Sequence, residues 1–308
     1  MTQKLSIKNL LDIPPLTIDD IQIILDRASF FKKALADKNV PQSLSGKIIL
    51  TLFTENSTRT RNSFEMSVLR LGGQLINWDE KISSAQKGET FTDTIRFLNG
   101  YHPDAIVMRH HDYNAPHYVQ SLVGCPVINA GDSYREHPTQ ALLDAFTIIE
   151  HKGKLAGLTI GIIGDLAHSR VANSNVALFT KLGATIHLIA PPNLQPQKIP
   201  PNVKVFDTLE DGLKNCDIVY VLRIQKERMD ASAIPTDTAY YHAYGLTPER
   251  LSIAKPSALV MHPGPMNRGV EISDDVADDP HQSIIFKQGA NGVPVRMAIL
   301  DLLIGDNV

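Results

Sequence analysis

The chain has 308 residues, of which 43% are hydrophobic and 20% charged, and its formal net charge is −3. That length exceeds what one hydrophobic core usually reaches, so two domains of ordinary globular composition are expected. The slight acidity argues against a nucleic-acid binder, which would show a basic excess or stripe, but it leaves room for a local cationic pocket.

The first expected strand is 48–53, followed by a helix at 63–71, where Phe64, Val68 and Leu71 share one face. Gly72-Gly73 stops that helix. A strand at 74–78, a helix at 89–98 and strands at 104–108 and 126–130 continue a βαβα order. Such an order implies a parallel sheet covered on both faces. A longer helix at 137–151 comes next, and Lys152-Gly153-Lys154 breaks its pattern. A second series then starts: a strand at 158–163, a helix at 171–182, and strands at 185–190, 203–206, 217–222 and 258–261. The Pro-rich stretch 191–201 is an external loop, and a helix at 294–304 ends the chain. The expected fold class is α/β, with two doubly wound parallel-sheet domains joined by a long helix. The expected division is 1–136, a bridging helix at 137–151, and 152–290.

No apolar run approaches the roughly 20 residues needed to span a bilayer, so no membrane is expected as a partner. Residues 1–11 lack the long apolar core of a secretory signal. Cys125 and Cys216 are the only cysteines, and both lie in apolar surroundings. They read as small buried hydrophobes, not as a disulfide framework or a zinc set. A reducing, cytoplasmic setting is expected.

Ligands of open parallel sheets sit beyond the carboxyl ends of the strands, so the residues just after each strand are the candidates for chemistry. Thr54-Glu55-Asn56-Ser57-Thr58-Arg59-Thr60-Arg61 follows the first strand and leads into a helix. Helix amides, hydroxyls and a guanidinium fork at that place suit a phosphate. The plainer reading is a Ser/Thr cap with surface arginines. The segment has no glycines and no Gly-Lys-Ser/Thr, so it is not a Walker A loop. Arg109 follows the third strand. His137, Pro138 and Gln140 open the bridging helix, another electrophilic helix end.

In the second half, Gly164-Asp165-Leu166-Ala167-His168-Ser169-Arg170 follows a strand. Its glycines faintly resemble a dinucleotide loop, but G-x-G-x-x-G is absent and a nicotinamide site is rejected. Arg223-Ile224-Gln225-Lys226-Glu227-Arg228 follows another strand. Two strand ends that each deliver an arginine suit a ligand with two carboxylates. His262-Pro263-Gly264-Pro265 follows the last strand, where prolines stiffen a loop and leave its carbonyls able to accept hydrogen bonds.

The string Ser57-Thr58-Arg59-Thr60-Arg61 resembles the carbamoyl phosphate signature of the transcarbamoylases, and His137-Pro138-Thr139-Gln140 resembles their second signature. Lys87-Gly88-Glu89, Met108-Arg109-His110, Gly164-Asp165-Leu166, the 223–228 segment and the 262–265 segment extend the likeness over nearly the whole chain. Ornithine-specific members carry His-Cys-Leu-Pro at the last of these, whereas this chain has no cysteine there. An arginine suits an acidic acceptor and would repel the ammonium of ornithine. The resemblance therefore implies carbamoyl transfer from carbamoyl phosphate to L-aspartate, as in pyrimidine biosynthesis, the alternatives being a transcarbamoylase for another amino acid or a non-catalytic scaffold homologue. One departure is Val171, where some members have Thr.

The resemblance further implies a role for each matching residue. Ser57, Thr58, Arg59, Thr60 and Arg109 hold the phosphate, and Thr60, Arg109 and His137 meet the carbonyl oxygen. Gln140, Pro263 and Gly264 bind the carbamoyl amine. Lys87, Arg170, Arg223, Gln225, Gly264 and Pro265 bind aspartate. Arg59, Thr60, Lys87, Arg109, His137 and Gln140 form the catalytic set. Ser83 and Lys87 come from a neighbouring subunit, so a homotrimer with shared sites is implied. The helix within 291–308 packs back on the first domain. No cofactor and no metal are implied. A zinc-bearing regulatory chain or a dihydroorotase partner stays open.

Overall fold

In the computed structural model, which describes residues 4–79, 87–226 and 236–306, the chain divides into two units. The first is Met1–Phe146 with Asn291–Val308, and the second is Thr147–Ala290.

The first unit opens with α1 (Ile18–Ala36), over which the path read from the sequence had passed. Its start signal is local: Thr17 Oγ1 accepts the Asp20 amide at 3.0 Å, and Asp20 Oδ2 accepts the Thr17 amide at 3.0 Å. This reciprocal box satisfies amides that a helix end leaves orphaned. There follow β1 (Ile48–Phe53), α2 (Thr58–Arg70), β2 (Gln74–Trp78), α3 (Phe91–Asn99), β3 (Ala105–His110), α4 (Ala115–Gln120), β4 (Val127–Asp132) and α5 (Pro138–Lys152). The strands form one parallel sheet in the order β2-β1-β3-β4. Leu50, Leu52, Ile106, Met108 and Val127 pack with Ile95 of α3 and Val119 of α4. A sheet covered on both faces needs runs of apolar residues instead of alternation, which is how β1, β3 and β4 read.

The second unit contains β5 (Thr159–Ile163), α6 (Arg170–Lys181), β6 (Thr185–Ile189), β7 (Val203–Phe206), α7 (Leu209–Gly212) and β8 (Ile218–Val221). It continues with α8 (Asp237–Tyr244), α9 (Pro248–Leu251), β9 (Leu259–Met261), α10 (Asp274–Ala277) and the start of α11 (Ile285–Ile304). The expected loop after β6 holds one 3-10 turn, Pro192–Leu194. The sheet is again parallel, in the order β7-β6-β5-β8-β9. Ile163, Ile189, Val219, Val221 and Val260 pack with Leu209, Leu213, Cys216 and Leu251.

Both sheets have a switch point. From β1 the first sheet grows to β2 on one side and then to β3 and β4 on the other. From β5 the second grows to β6 and β7, then returns to β8 and β9. Where the order reverses, neighbouring loops diverge and leave a crevice beyond the strand ends.

Helix starts depart most from expectation. The helix expected from residue 63 begins at Thr58, because periodicity marks where a helix buries a face and the first turn of α2 carries exposed Thr58 and Arg59. The helix expected from 294 begins at Ile285, and Pro294 lies inside it. An interior proline costs one helical hydrogen bond. Neighbours hold the helix there: Lys32 Nζ donates to Asn291 Oδ1 at 2.9 Å, and Ser67 Oγ to Val293 O at 3.1 Å. Cys216 is buried as expected, and burial pushes its thiol up to about 12. Cys125 is only half-buried. Among the described residues no helix is long and apolar enough to cross a membrane.

Candidate active site

The switch point of the first unit gathers anion donors. Thr54 N donates to Arg109 O at 3.0 Å, which ties the ends of β1 and β3 together. Ser57 caps α2 with an extended backbone, and its hydroxyl makes no capping bond. The first intrahelical bond runs from Arg61 N to Ser57 O at 3.2 Å, so the amides before it point out of the helix end. No acidic residue occupies that first turn, and the positive pole of the dipole stays uncompensated there. Arg109 reaches this end: Nε donates to Glu55 Oε2 at 3.0 Å, and Nη1 lies 3.4 Å from Ser57 Oγ. Thr60 is buried, with Oγ1 3.4 Å from His137 Nε2.

A braced turn delivers His137. Buried Asp132 ends β4 and accepts Asn114 N at 2.9 Å and Arg135 Nε at 2.6 Å. Arg135 also pairs with Asp12 at 2.5 Å. Burial raises the Asp132 carboxyl, and Arg135 works against that rise. Asp132 N donates to Glu136 O at 2.9 Å, closing the turn. Pro138 then starts α5 with its φ preset, and the His137 carbonyl accepts Ala141 N at 3.2 Å. Gln140, in the first turn, donates Nε2 to Asp144 Oδ1 at 3.0 Å.

His110 adjoins Arg109 and packs on Phe91 at 4.8 Å and on His111 at 4.4 Å between ring centres. Its Nδ1 accepts Asp112 N at 2.9 Å. Burial, helped by His111, lowers its pKa to about 4, so the ring is neutral near pH 7.

The switch point of the second unit is organised by a carboxylate. After β5 the chain turns at Gly164 with φ +131°, where a Cβ would meet Leu222 O at 2.5 Å. Only glycine permits that approach. Asp165 follows, fully buried. Its Oδ1 accepts the His168 amide at 3.2 Å and His168 Nδ1 at 2.9 Å. Its Oδ2 accepts Gln225 N at 3.2 Å, and Gln225 Nε2 donates to His168 O at 3.0 Å. Asp165 thus joins the loop after β5 to the loop after β8. Arg170 opens α6 and is 5% exposed. A buried cation at the positive end of a helix opposes the dipole, an arrangement that an anionic ligand would relieve. Arg223, half-buried, donates Nη1 to Ile224 O at 3.2 Å.

The loop after β9 is held from within. His262 Nδ1 accepts Gly264 N at 2.8 Å, so Nε2 carries the proton and donates to Glu271 Oε1 at 3.2 Å. Glu271 Oε1 also accepts Asn267 N at 2.5 Å, and His262 N donates to Gln288 Oε1 at 2.9 Å. Gly264 has φ +68°, and the Gly264–Pro265 bond is cis. Pro263 and Gly264 are half-buried and Pro265 is exposed.

The fold therefore brings Ser57, Thr60, Arg109 and His137 together, with Gln140 one step along α5. It places Arg170 at the start of α6, just past the β5 loop that Asp165 ties to the loop of Gln225, with Arg223 just before Gln225. Thr58 and Arg59 stand exposed at the start of α2, and Lys87 is exposed shortly before α3. Ser83, Glu227 and Arg228 lie outside the described residues. Sequence reasoning missed the buried supports Asp132, Asp144 and Glu271. It quoted Asp165 only as part of a motif. Acidic residues read as solvated surface unless their partners are known.

Fold and site together define a two-unit parallel α/β protein with an oxyanion-type donor cluster at one switch point and arginines at the other. The chain matches the aspartate/ornithine carbamoyltransferase carbamoyl-P binding domain over residues 8–150 and the Asp/Orn binding domain over residues 156–303. It belongs to the aspartate/ornithine carbamoyltransferase family. It is 50% identical to the aspartate carbamoyltransferase catalytic subunit of Pelagibacter ubique, over 97% of this chain and 96% of that one. The crystal structure of Trypanosoma cruzi aspartate transcarbamoylase with carbamoyl phosphate and aspartate aligns with a TM-score of 0.88 at 33% identity, covering 99% of both chains. Ornithine carbamoyltransferase from Pyrococcus furiosus also gives a TM-score of 0.88, at 30% identity and 96% coverage of both. The fold alone thus does not separate the two acceptors, and the residues must.

Proposed function

We propose that the chain is an aspartate carbamoyltransferase, acting in de novo pyrimidine biosynthesis in the cytoplasm. One observation carries this reading. A donor cluster of Ser57, Thr60, Arg109 and His137 at a helix N-terminus in one unit is matched by Arg170, Arg223 and Gln225 at the switch point of the other. The first set suits a phosphorylated carbonyl, and the second suits a dicarboxylic acceptor. Product identification after incubation with carbamoyl phosphate and either aspartate or ornithine tests it. N-carbamoyl-aspartate is expected, and citrulline would overturn the acceptor assignment.

In the proposed reaction the neutral aspartate amine attacks the carbonyl carbon of carbamoyl phosphate. The new N–C bond gives a tetrahedral oxyanion, the C–O bond to phosphate breaks, and the amine proton leaves on the phosphate. Ser57, Thr58, Arg59, Thr60 and Arg109 hold the phosphate and neutralise it as it departs. Thr60, Arg109 and His137 stabilise the oxyanion, with His137 as a hydrogen-bond donor and not a base. Preorganised donors of this kind are each worth about 3–4 kcal/mol of barrier. Gln140 and the Pro263–Gly264 backbone meet the carbamoyl amine. Arg170, Arg223, Gln225 and the Gly264–Pro265 segment take the carboxylates.

Ser83 and Lys87 complete the site of a neighbouring subunit in a homotrimer. Mixing Lys87→Ala with Arg59→Ala subunits should restore part of the activity in hybrid trimers. Intact hybrid trimers without recovery would remove the shared site.

A further inference from the structure

Gln140 is a side chain with two chemically opposite ends, and its environment selects between them. Its amide lies one turn from Asp144 on α5, with Nε2 3.0 Å from Asp144 Oδ1. Gln140 is 8% exposed and Asp144 is fully buried. A carboxylate accepts hydrogen bonds, and the NH2 end of Gln140 is the one that faces it. An opposite charge acts on Asp144 from a distance. Arg296 of α11 is buried at 3% exposure and packs on Phe64 at 5.1 Å from the ring centre. Burial lowers its pKa to about 10 and the attraction of Asp144 raises it, so the guanidinium stays charged near pH 7.

Such a pair does not explain itself by stability. Two desolvated charges often contribute less than apolar residues of the same volume. Arg296 Nε, moreover, is buried without a hydrogen-bond partner among the described residues. Asp144 does give the NH2 of Gln140 an acceptor, which favours one orientation of that amide.

We propose that Asp144 is a positioning residue: by accepting from the Gln140 NH2 it turns the Oε1 carbonyl towards a ligand, and so selects a phosphorylated carbonyl that bears an N–H donor. This rests on the reading that Gln140 meets the carbamoyl amine. Acetyl phosphate has the same shape with a methyl group in place of the amine. It would leave Oε1 facing a group that cannot donate, and a buried acceptor left unpaired costs roughly a 10- to 100-fold loss of affinity.

The test compares dissociation constants of carbamoyl phosphate, acetyl phosphate and inorganic phosphate for the intact wild-type enzyme and for Asp144→Asn. An asparagine presents either a donor or an acceptor, so Gln140 is released to turn over. The wild type should prefer carbamoyl phosphate to acetyl phosphate. Asp144→Asn should weaken carbamoyl phosphate about 10- to 100-fold and leave acetyl phosphate and inorganic phosphate unchanged. Gln140→Leu should lose the same preference, and the double variant should be no worse than Gln140→Leu alone. Equal weakening of all three ligands would mean a loosened fold and would overturn the proposal, as would retained preference in Asp144→Asn. If the wild type binds no carbamoyl phosphate, the functional reading itself fails, which is a different outcome. If Asp144→Asn does not fold, a neutron structure of the wild type decides. Deuterons on the Gln140 nitrogen should point to Asp144, and the opposite orientation would overturn the proposal.

Discussion

The two switch points share one topology and use opposite means. In the first unit the candidate donors lie against one another: Arg109 bridges Glu55 and Ser57, and Thr60 approaches His137. In the second unit the candidate arginines are spread over a helix start and a loop, and carboxylates do the joining, Asp165 between two loops and Glu271 behind His262. The proposed function accounts for the difference. A phosphate leaving group gathers charge at one point and rewards dense donors on a helix dipole. Two carboxylates at the ends of a short acid need forks held apart, and a fork on a loop is only as good as the support behind it.

The largest test removes the densest donor. Arg109→Ala should lower kcat about 100- to 1000-fold and leave KM for aspartate nearly unchanged in steady-state kinetics. Near-normal turnover would dissolve the contrast between the units.

The next concerns pH. His110 has a folded pKa of about 4 against 6.5 for the free side chain. Between those values the unfolded chain takes up the proton first, so stability falls as pH drops from 6.5 towards 4 and levels off below. The full loss is about 3 kcal/mol. Urea unfolding of wild type and His110→Leu over that range should show the slope flattened in the variant. Equal slopes would show that His110 is not the group responsible.

Smaller effects belong to the second unit. Arg170→Ala or Arg223→Ala should raise KM for aspartate by a factor corresponding to about 1.5–3 kcal/mol, with carbamoyl phosphate affinity kept. A matching loss of carbamoyl phosphate affinity would erase the division of labour. Smallest is Glu271→Gln, which keeps the shape of the clamp on His262 but removes its charge. Thermal unfolding should register about 1 kcal/mol, and an unshifted midpoint would make Glu271 a bystander.

How much of this was legible in the sequence depended on the range of the forces involved. Strand–helix alternation, the apolar runs of a doubly covered sheet and the residues following each strand are local, because backbone geometry and burial repeat every two or 3.6 residues. So the strings around Ser57, His137, Arg170, Arg223 and His262 could be read in order, and they fell just beyond strand ends. The starts of α2 and α11 were misread for the same reason. Exposed Thr58 and Arg59 leave no periodic trace, and Pro294 looked like a helix start until Lys32 and Ser67 were seen to hold the helix around it.

Strand order was different. Nothing local says that β1 pairs with both β2 and β3, or that β5 pairs with both β6 and β8. Those pairings bring Thr54 to Arg109 and Asp165 to Gln225 across more than fifty residues of chain. The sequence alone therefore determined which chemical groups lie at the ends of strands. Only the tertiary structure decided which ends lie side by side, and which acids (Asp144, Asp165, Glu271) are buried to brace them. A buried charge is tolerated only by partners that folding supplies.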